Sequence, residues 1–322
     1  METEHLPANR KDSIVVARLL DEMTDDLGLE LIGGFQGIGR PVFTADINRP
    51  GLALSGYLDY FASDRIQILG NTEIHFMEQL STAALQHRIE QMCSFEVPAF
   101  LLSRSLRPRS LFMDMCNQRG IPVLRSRRST DEVISRVILF LAQEFSPETV
   151  VHGSTVDCYG VGILLTGAPG IGKSETALEL VERGHRIVAD DVVVLKRLRG
   201  DALYAESSPV IEHHMEIRGV GIIDIKNIFG VGRVRNSKRI GLVVELEEWN
   251  EEAQYDRTGL TDEFVNILGV RIPYLLIPVR PGRNIAIILE VAALNHRLKE
   301  LGVHPAQELN KKLMSMMSDG NA

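Results

Sequence analysis

The sequence predicts two α/β domains, a small N-terminal one and a C-terminal one built around a central β-sheet. Three observations lead there. The chain has 322 residues, about twice a typical ~150-residue domain, so each part is long enough to bury its own core. Apolar residues make up 44% and charged residues 24%, the balance of a chain that folds throughout and leaves little room for long disorder. Short apolar runs alternate with helix-like segments, the pattern of strands layered against helices.

The first domain, residues 1–129, carries that alternation in Ser13–Met23, Leu52–Tyr57, Arg65–Leu69, Thr72–Leu80, Val97–Leu102, Ser110–Arg119 and Ile121–Leu124. Between Arg104 and Arg128, seven arginines accompany one acid, Asp114. The stretch lacks the repeated aromatic interleaving that base stacking needs, so it reads as a solvated linker or oligomer contact ahead of an anion or RNA patch. Next, Ser129 and Glu132 stand in capping-box spacing before an apolar stripe of Val133, Val137, Ile138 and Leu141. That spacing predicts an amphipathic helix over 130–145, and the sequence reading makes it the link between the domains.

The second domain, residues 130–322 with that helix included, is rich in β-branched runs: Val161–Leu165, Ile187–Ala189, Val192–Leu195, Leu242–Leu246 and Tyr274–Val279. Near its end Ile287, Val291, Leu294, Leu298 and Leu301 recur at helical spacing, with Arg297 and Lys299 in the last turn and Gly302 as the stop. The expectation is a helix that packs this stripe on the sheet.

Charge and cysteine content exclude several classes. A formal net charge of −8 argues against whole-protein attraction to nucleic acid. Apolar runs such as Val137–Ala142 fall far short of the ~18 residues a membrane helix needs, and the N-terminus lacks the apolar core of a signal peptide, so a cytoplasmic location is expected. The three cysteines Cys93, Cys116 and Cys158 are widely spaced and contain no C-x-x-C, so neither a disulfide framework nor a zinc site is suggested.

The strongest chemical signal is Gly167-Ala168-Pro169-Gly170-Ile171-Gly172-Lys173-Ser174, a complete G-x-x-x-x-G-K-S. An apolar run, Gly162–Leu165, leads into it, and a helical segment, Glu175–Arg183 closed by Gly184, leads out. This is the context of a P-loop, or Walker A motif. Four residues between the glycines let successive backbone N–H groups wrap a polyphosphate at a helix N-terminus, whose partial positive charge adds attraction. Lys173 then reaches the β and γ oxygens, and the Ser174 hydroxyl ligates Mg²⁺.

A second piece follows at the expected distance. The run Ile187-Val188-Ala189 ends in Asp190-Asp191, two carboxylates at the carboxyl end of a strand, where ligands of α/β sheets collect. Two acids allow a division of labour, one serving the metal and the other taking a proton from an attacking hydroxyl.

Together with further motifs, these residues resemble the HPr kinase/phosphorylase family. The motifs are Gly-Lys-Ser-Glu-Thr-Ala-Leu-Glu-Leu (172–180), Arg-Gly-His-Arg (183–186), Ala-Asp-Asp (189–191), Glu-Ile-Arg-Gly-Val-Gly-Ile-Ile-Asp (216–224), Tyr-Asp-Arg (255–257) and Pro-Val-Arg-Pro-Gly-Arg-Asn (278–284). Weaker N-terminal matches are Tyr60-Phe61 and the segment 65–70. The H-R-D and D-F-G runs of eukaryotic-type protein kinases are missing.

The resemblance implies an α/β chain whose C-terminal part is a P-loop (Walker A) kinase domain with a central β-sheet. It implies phosphorylation of a serine on the phosphocarrier HPr with ATP, or pyrophosphate, as donor, and removal of that phosphoryl group by inorganic phosphate to give pyrophosphate. The outcome for the cell is control of sugar uptake and carbon metabolism. It assigns His152, Lys173, Asp191 and Arg257 to catalysis, with Asp191 as the base. Residues 167–174 bind the donor, and Ser174 with Glu216 holds Mg²⁺. Pro278, Val279, Arg280, Pro281, Gly282 and Arg283 form a segment used in dephosphorylation, where two arginines around a glycine suit an attacking phosphate. A homohexamer is implied as well, with no nucleic acid or membrane partner. Pro169 departs from the family's usual serine; it fixes φ and removes one N–H. Two other readings use the same loop: a metabolite kinase, and a nucleotide-gated switch without catalysis. The segments 216–224 and 278–284 favour the first reading, and a candidate base beside the metal acids counts against a switch.

Overall fold

A computed structural model describes residues 8–198, 202–208, 211–252 and 260–319. Arg257, with Tyr255 and Asp256, lies outside them. The chain forms two units, one spanning Arg10–Ser146 and the other beginning at Pro147. The stretch ending at Asn9 belongs to the second, through backbone hydrogen bonds between Asn9 and Glu148 at 2.7 and 2.8 Å.

The first unit is built on a five-stranded sheet in the order Glu30–Gly33, Val123–Arg125, Phe100–Leu102, Ile66–Leu69 and Ile47–Asn48. The last four strands run parallel, and Glu30–Gly33 is antiparallel at the edge. Both faces are covered, so the central strands Ile66–Leu69, Phe100–Leu102 and Val123–Arg125 bury nearly every side chain, while the edge strands are less buried. On one face lie Phe100, Leu102, Phe112 and Ile89; on the other lie Leu19, Leu27, Ile66 and Leu101.

The Thr130–Glu144 helix belongs to this second layer. Its capping box forms as expected, with Ser129 Oγ accepting from the Glu132 N–H and Glu132 Oε2 accepting from the Ser129 N–H. Its stripe of Val133, Val137 and Leu141, followed by Phe145, is buried against Ile66, Leu101 and Leu124. The expected cut before residue 130 therefore moves to Ser146/Pro147, and the helix is a structural layer of the N-terminal unit in place of a linker. An amphipathic stripe packs on whichever apolar sheet face is in reach, and here the first unit's sheet supplies it.

The second unit carries a nine-stranded mixed sheet. Val161–Gly167 lies parallel to Ser237–Glu248, which lies parallel to Val270–Val279. Ser154–Cys158 and Arg186–Ala189 extend one side antiparallel. The first residues of Ser237–Glu248 pair instead with Ala202–Ser207, which leads to Val192–Leu198 and Glu148–His152. The three parallel strands thus end together, and every strand expected from sequence is present, most of them longer than expected.

The Ile285–Glu300 helix corrects one expectation. The residues it buries are Ile285, Ala286, Leu289, Glu290 and Ala293. The predicted stripe points outward, with Val291 60% and Leu301 78% exposed and Ile287, Leu294 and Leu298 also exposed. The helix has two apolar faces. The smaller residues on one of them allow close approach to Leu165, Val244 and Leu180, while Glu290 enters that face because Arg183 and His185 satisfy its carboxylate.

Candidate active site

Val161–Gly167 ends at Gly167, which pairs with Leu246 of the neighbouring strand. The chain then turns through residues 168–172 into the Lys173–Glu182 helix. Each of the three glycines has a positive φ: 132° at Gly167, 85° at Gly170 and 102° at Gly172. At Gly167 a Cβ would also stand 2.3 Å from the Leu246 carbonyl oxygen, so conformation and space both demand glycine. Gly167→Ala is expected to cost about 2 kcal/mol or more of stability, read as a lower urea midpoint.

Pro169 fits this loop. The Ile171 N–H donates to the Ala168 carbonyl at 3.3 Å, closing a turn with proline and then positive-φ glycine at its centre. That is the sequence preference of a type II turn, in which proline presets the φ of the first central residue. The departure from serine therefore stiffens the loop, at the loss of one N–H donor. Lys173 Nζ folds back over it, donating to the Gly167 and Ala168 carbonyls at 3.0 and 3.1 Å. The glycine cap at Gly172 leaves the first-turn N–H groups of the helix without a side-chain acceptor, the arrangement that draws anions.

Asp190 and Asp191 have separate environments. Asp190 is only 4% exposed, and Ser154 Oγ donates to its Oδ1 at 2.5 Å. Burial raises its pKa, against the lowering effect of the Ser154 and Ser174 hydroxyls. Ser154 and Ser174 are thereby brought to one carboxylate from different elements. Oδ2 of Asp190 is buried with no hydrogen-bond partner. A buried carboxylate oxygen in want of a partner, next to a hydroxyl at a helix N-terminus, suits a hard divalent cation, and Mg²⁺ needs only one or two protein carboxylates beside phosphate and water. No group of three or more His, Cys, Asp or Glu that could hold a metal occurs among the described residues.

Asp191 faces the other way. Its side chain is 75% exposed and its backbone has φ 63°, a conformation uncommon for a residue with a side chain. The neighbouring strand brings His152 opposite Val192, and His152 Nδ1 stands 3.8 Å from Asp191 Oδ1. Two residues far apart in sequence are thus paired at one strand edge, the carboxylate open to solvent.

Glu216 lies on the His214–Ile217 strand of a hairpin with Gly221–Asp224. The hairpin is held to the Lys173–Glu182 helix through Met215, which is buried with Ala177, Leu180 and Val181. The Glu216 side chain is exposed. The same hairpin supplies a residue the sequence reading did not single out: the Arg218 guanidinium lies over the loop, 3.1 Å from where a Cβ on Gly170 would be.

The segment 278–283 closes the third side, because Pro278 and Val279 pair with Glu247 and Glu248 at the shared end of the parallel strands. The Arg283 N–H donates to the Arg280 carbonyl at 3.2 Å, and Gly282 has φ 85°, so Pro281-Gly282 repeats the turn of Pro169-Gly170. Arg283 Nη1 donates to the Pro278 carbonyl at 2.8 Å. Arg280 stacks over Trp249, 5.1 Å from the ring centroid, a second contact with no local sequence signal. Asn284 caps the following helix and donates to Glu179 at 2.7 Å, which ties this segment to the Lys173–Glu182 helix.

These features define a two-domain α/β protein with a glycine-rich loop, a lysine, a hydroxyl and two aspartates at the carboxyl end of its parallel strands. Residues 14–141 match the model described as HPr Serine kinase N terminus, and residues 143–313 match the HPr Serine kinase C-terminal domain. The chain belongs to the HPr serine kinase family. Relatives include the HPr kinase/phosphorylase of Thermoanaerobacter sp. (strain X514), 45% identical over 300 residues, covering 93% of this chain and 98% of that one. That of Bacillus subtilis (strain 168) is 46% identical over 299 residues, covering 93% and 96%. Among solved structures, the HPr(Ser) kinase/phosphatase from Coxiella burnetii aligns with 35% identity and a TM-score of 0.45, over 48% of this chain and 93% of that one.

Proposed function

We propose that the chain is a bifunctional HPr kinase/phosphorylase that runs both directions of its chemistry at the centre built on Gly167–Ser174. The observation that carries this is an exposed, strained Asp191 beside His152, next to a buried Asp190 that engages Ser154 and Ser174. The loop is read as a P-loop for ATP or pyrophosphate. Its N–H groups and Lys173 hold the terminal phosphates, and Arg218 adds a cation above it. Mg²⁺ held by Ser174 and Glu216, with Asp190 behind Ser174, would offset charge on the donor.

Asp191 takes the proton from the HPr serine hydroxyl as that oxygen attacks the terminal phosphorus, and the bond to the donor's bridging oxygen breaks. In the other direction inorganic phosphate attacks the phosphoserine phosphorus. The proton on Asp191 passes to the departing serine oxygen, and pyrophosphate leaves. One carboxylate serves as base and then as acid because the two reactions share a leaving and attacking oxygen. His152 Nδ1, 3.8 Å from Asp191 Oδ1, would help orient that carboxylate. Arg280 and Arg283 bind the attacking phosphate, and Arg257 is the catalytic arginine by family likeness. Accordingly, Arg283→Ala is expected to lower phosphate-driven dephosphorylation about 10-fold or more, the size of one lost charge-assisted contact, with a smaller loss of kinase rate. Equal losses would show that its hydrogen bond to Pro278 matters more than phosphate.

Among the described residues no helix is long and apolar enough to cross a membrane, and we place the enzyme in the cytoplasm with HPr. The outward stripe of Ile287, Val291, Leu294, Leu298 and Leu301 supports self-association, in line with a homohexamer. The function is tested by incubating the chain with ATP, Mg²⁺ and HPr and locating the product by mass spectrometry. Phosphoserine on HPr is expected; unmodified HPr with undiminished ATP binding would leave only the switch reading.

A further inference from the structure

The two arginines of the segment 278–283 are held in different ways. Arg283 is tied to its own backbone: Nη1 donates to the Pro278 carbonyl at 2.8 Å, and its N–H closes the turn on the Arg280 carbonyl at 3.2 Å. Arg280 is exposed, and its guanidinium carbon stands 5.1 Å from the centroid of the Trp249 ring. A long, exposed cation samples many rotamers, and an anion that needs it in one place pays for that ordering on binding. A ring beneath the guanidinium removes part of that cost beforehand.

The backbone fixes where that ring stands. Trp249, the only tryptophan of the chain, follows the last residue of the Ser237–Glu248 strand, and its N–H donates to the Val279 carbonyl at 3.0 Å. This bond continues the parallel pairing of Glu248 with Val279. Trp249 and Arg280 therefore each come directly after a paired residue, on adjacent strands, at the end where Gly167 pairs with Leu246 and the glycine-rich loop begins. The indole is 38% exposed, so it is partly covered and still open toward that end of the sheet.

The residues flanking the tryptophan explain why an aromatic ring is useful there. Glu247, Glu248, Glu251 and Glu252 are all exposed. A carboxylate from this group could also hold Arg280, but it would occupy N–H donors and cancel the charge that attracts phosphate. An indole face attracts a guanidinium through the ring quadrupole and leaves the N–H groups at the rim of the cation free to donate. The ring thus orients Arg280 without neutralising it. The glycine-rich loop has no such need, since its anion contacts come from backbone N–H groups and Lys173.

We propose that Trp249 is a positioning residue for the dephosphorylation direction, holding the Arg280 guanidinium oriented and still fully cationic for the attacking inorganic phosphate. The proposal rests on the reading of Arg280 as a ligand of that phosphate. Trp249 acts through Arg280 and does not touch the reacting atoms, so its loss weakens the capture of phosphate more than the chemical step.

The test compares full-length Trp249→Leu, Trp249→Phe, Arg280→Gln and the double variant Trp249→Leu with Arg280→Gln, in dephosphorylation of phosphoserine HPr by inorganic phosphate and in phosphorylation of HPr by ATP. Trp249→Leu keeps apolar bulk and loses the aromatic face. It is expected to raise the KM for phosphate about 3-fold or more, the size of an exposed cation–π contact, with kcat at saturating phosphate, KM for ATP and melting temperature close to those of the unchanged protein. Trp249→Phe is expected to restore most of the loss. In the Arg280→Gln background, where the KM for phosphate is already raised, Trp249→Leu is expected to add little, because its effect passes through that arginine. Equal losses in both directions with a lower melting temperature, or a full further loss in the double variant, would overturn the proposal and make Trp249 a structural residue. A KM for phosphate unchanged by Trp249→Leu but raised by Arg280→Gln would overturn it and leave Arg280 as a phosphate ligand. A KM unchanged by Arg280→Gln would overturn both.

Discussion

Asp191→Asn is expected to slow phosphorylation of HPr by about 10²–10⁴-fold, the usual contribution of a positioned general base, while leaving nucleotide affinity near that of the unchanged protein. The separation follows from the site's construction. Asp191 is exposed and turned toward His152, whereas the contacts of the Gly167–Ser174 loop run through Lys173, Ser174 and Asp190. An asparagine keeps the shape and accepts the left-handed backbone readily, so the fold is expected to persist. Phosphate-driven dephosphorylation is expected to fall in parallel, since the same group must return the proton. Single-turnover rates in both directions, with nucleotide affinity measured on the same preparations, check this. A variant that kept its kinase rate would remove Asp191 from the role of base.

Lys173→Ala is expected to cost about 10²-fold or more in both directions, the effect of deleting one preorganised charge from a phosphoryl-transfer site. Here nucleotide and pyrophosphate binding are expected to fail together with turnover, in contrast to Asp191→Asn. Stability is expected to change little, because among the described residues the hydrogen bonds of Lys173 Nζ go to the Gly167 and Ala168 carbonyls of its own loop. Equilibrium binding and urea unfolding of the same variant check the two halves of the expectation. Loss of stability alongside binding would make the lysine a structural clasp of the loop.

The loop was legible because its requirements are local. Three glycines with positive φ, a lysine and a hydroxyl at fixed spacing, between an apolar strand and a helix, fall within one short stretch. Five strands of the larger sheet are legible for the same reason, whereas Glu148–His152, Ser154–Cys158, Ala202–Ser207 and Glu263–Ile267 are not. What stayed hidden depends on register between distant strands. Ser154 meets Asp190 only because its strand lies beside Arg186–Ala189, His152 meets Asp191 through pairing with Val192, and Arg218 reaches Gly170 from a hairpin. Periodicity also proved silent about destination. On Thr130–Glu144 the stripe residues Val133, Val137 and Leu141 are buried and Ile138 only partly so, and the sheet they cover is the first unit's. On Ile285–Glu300 the more conspicuous stripe is the outward one, since alanines and a charge-satisfied Glu290 make the packed face. Hydrophobic spacing says that a face is apolar; it does not say which neighbour it meets.

The central claim is that one centre both adds the phosphoryl group and removes it with phosphate as acceptor. It is tested most directly by loading HPr with phosphate from labelled ATP, removing the nucleotide, adding inorganic phosphate with the enzyme, and identifying the labelled product. The account predicts labelled pyrophosphate in amounts equal to the phosphoserine lost, with Asp191→Asn forming none. Labelled inorganic phosphate alone, released by simple hydrolysis, would contradict it.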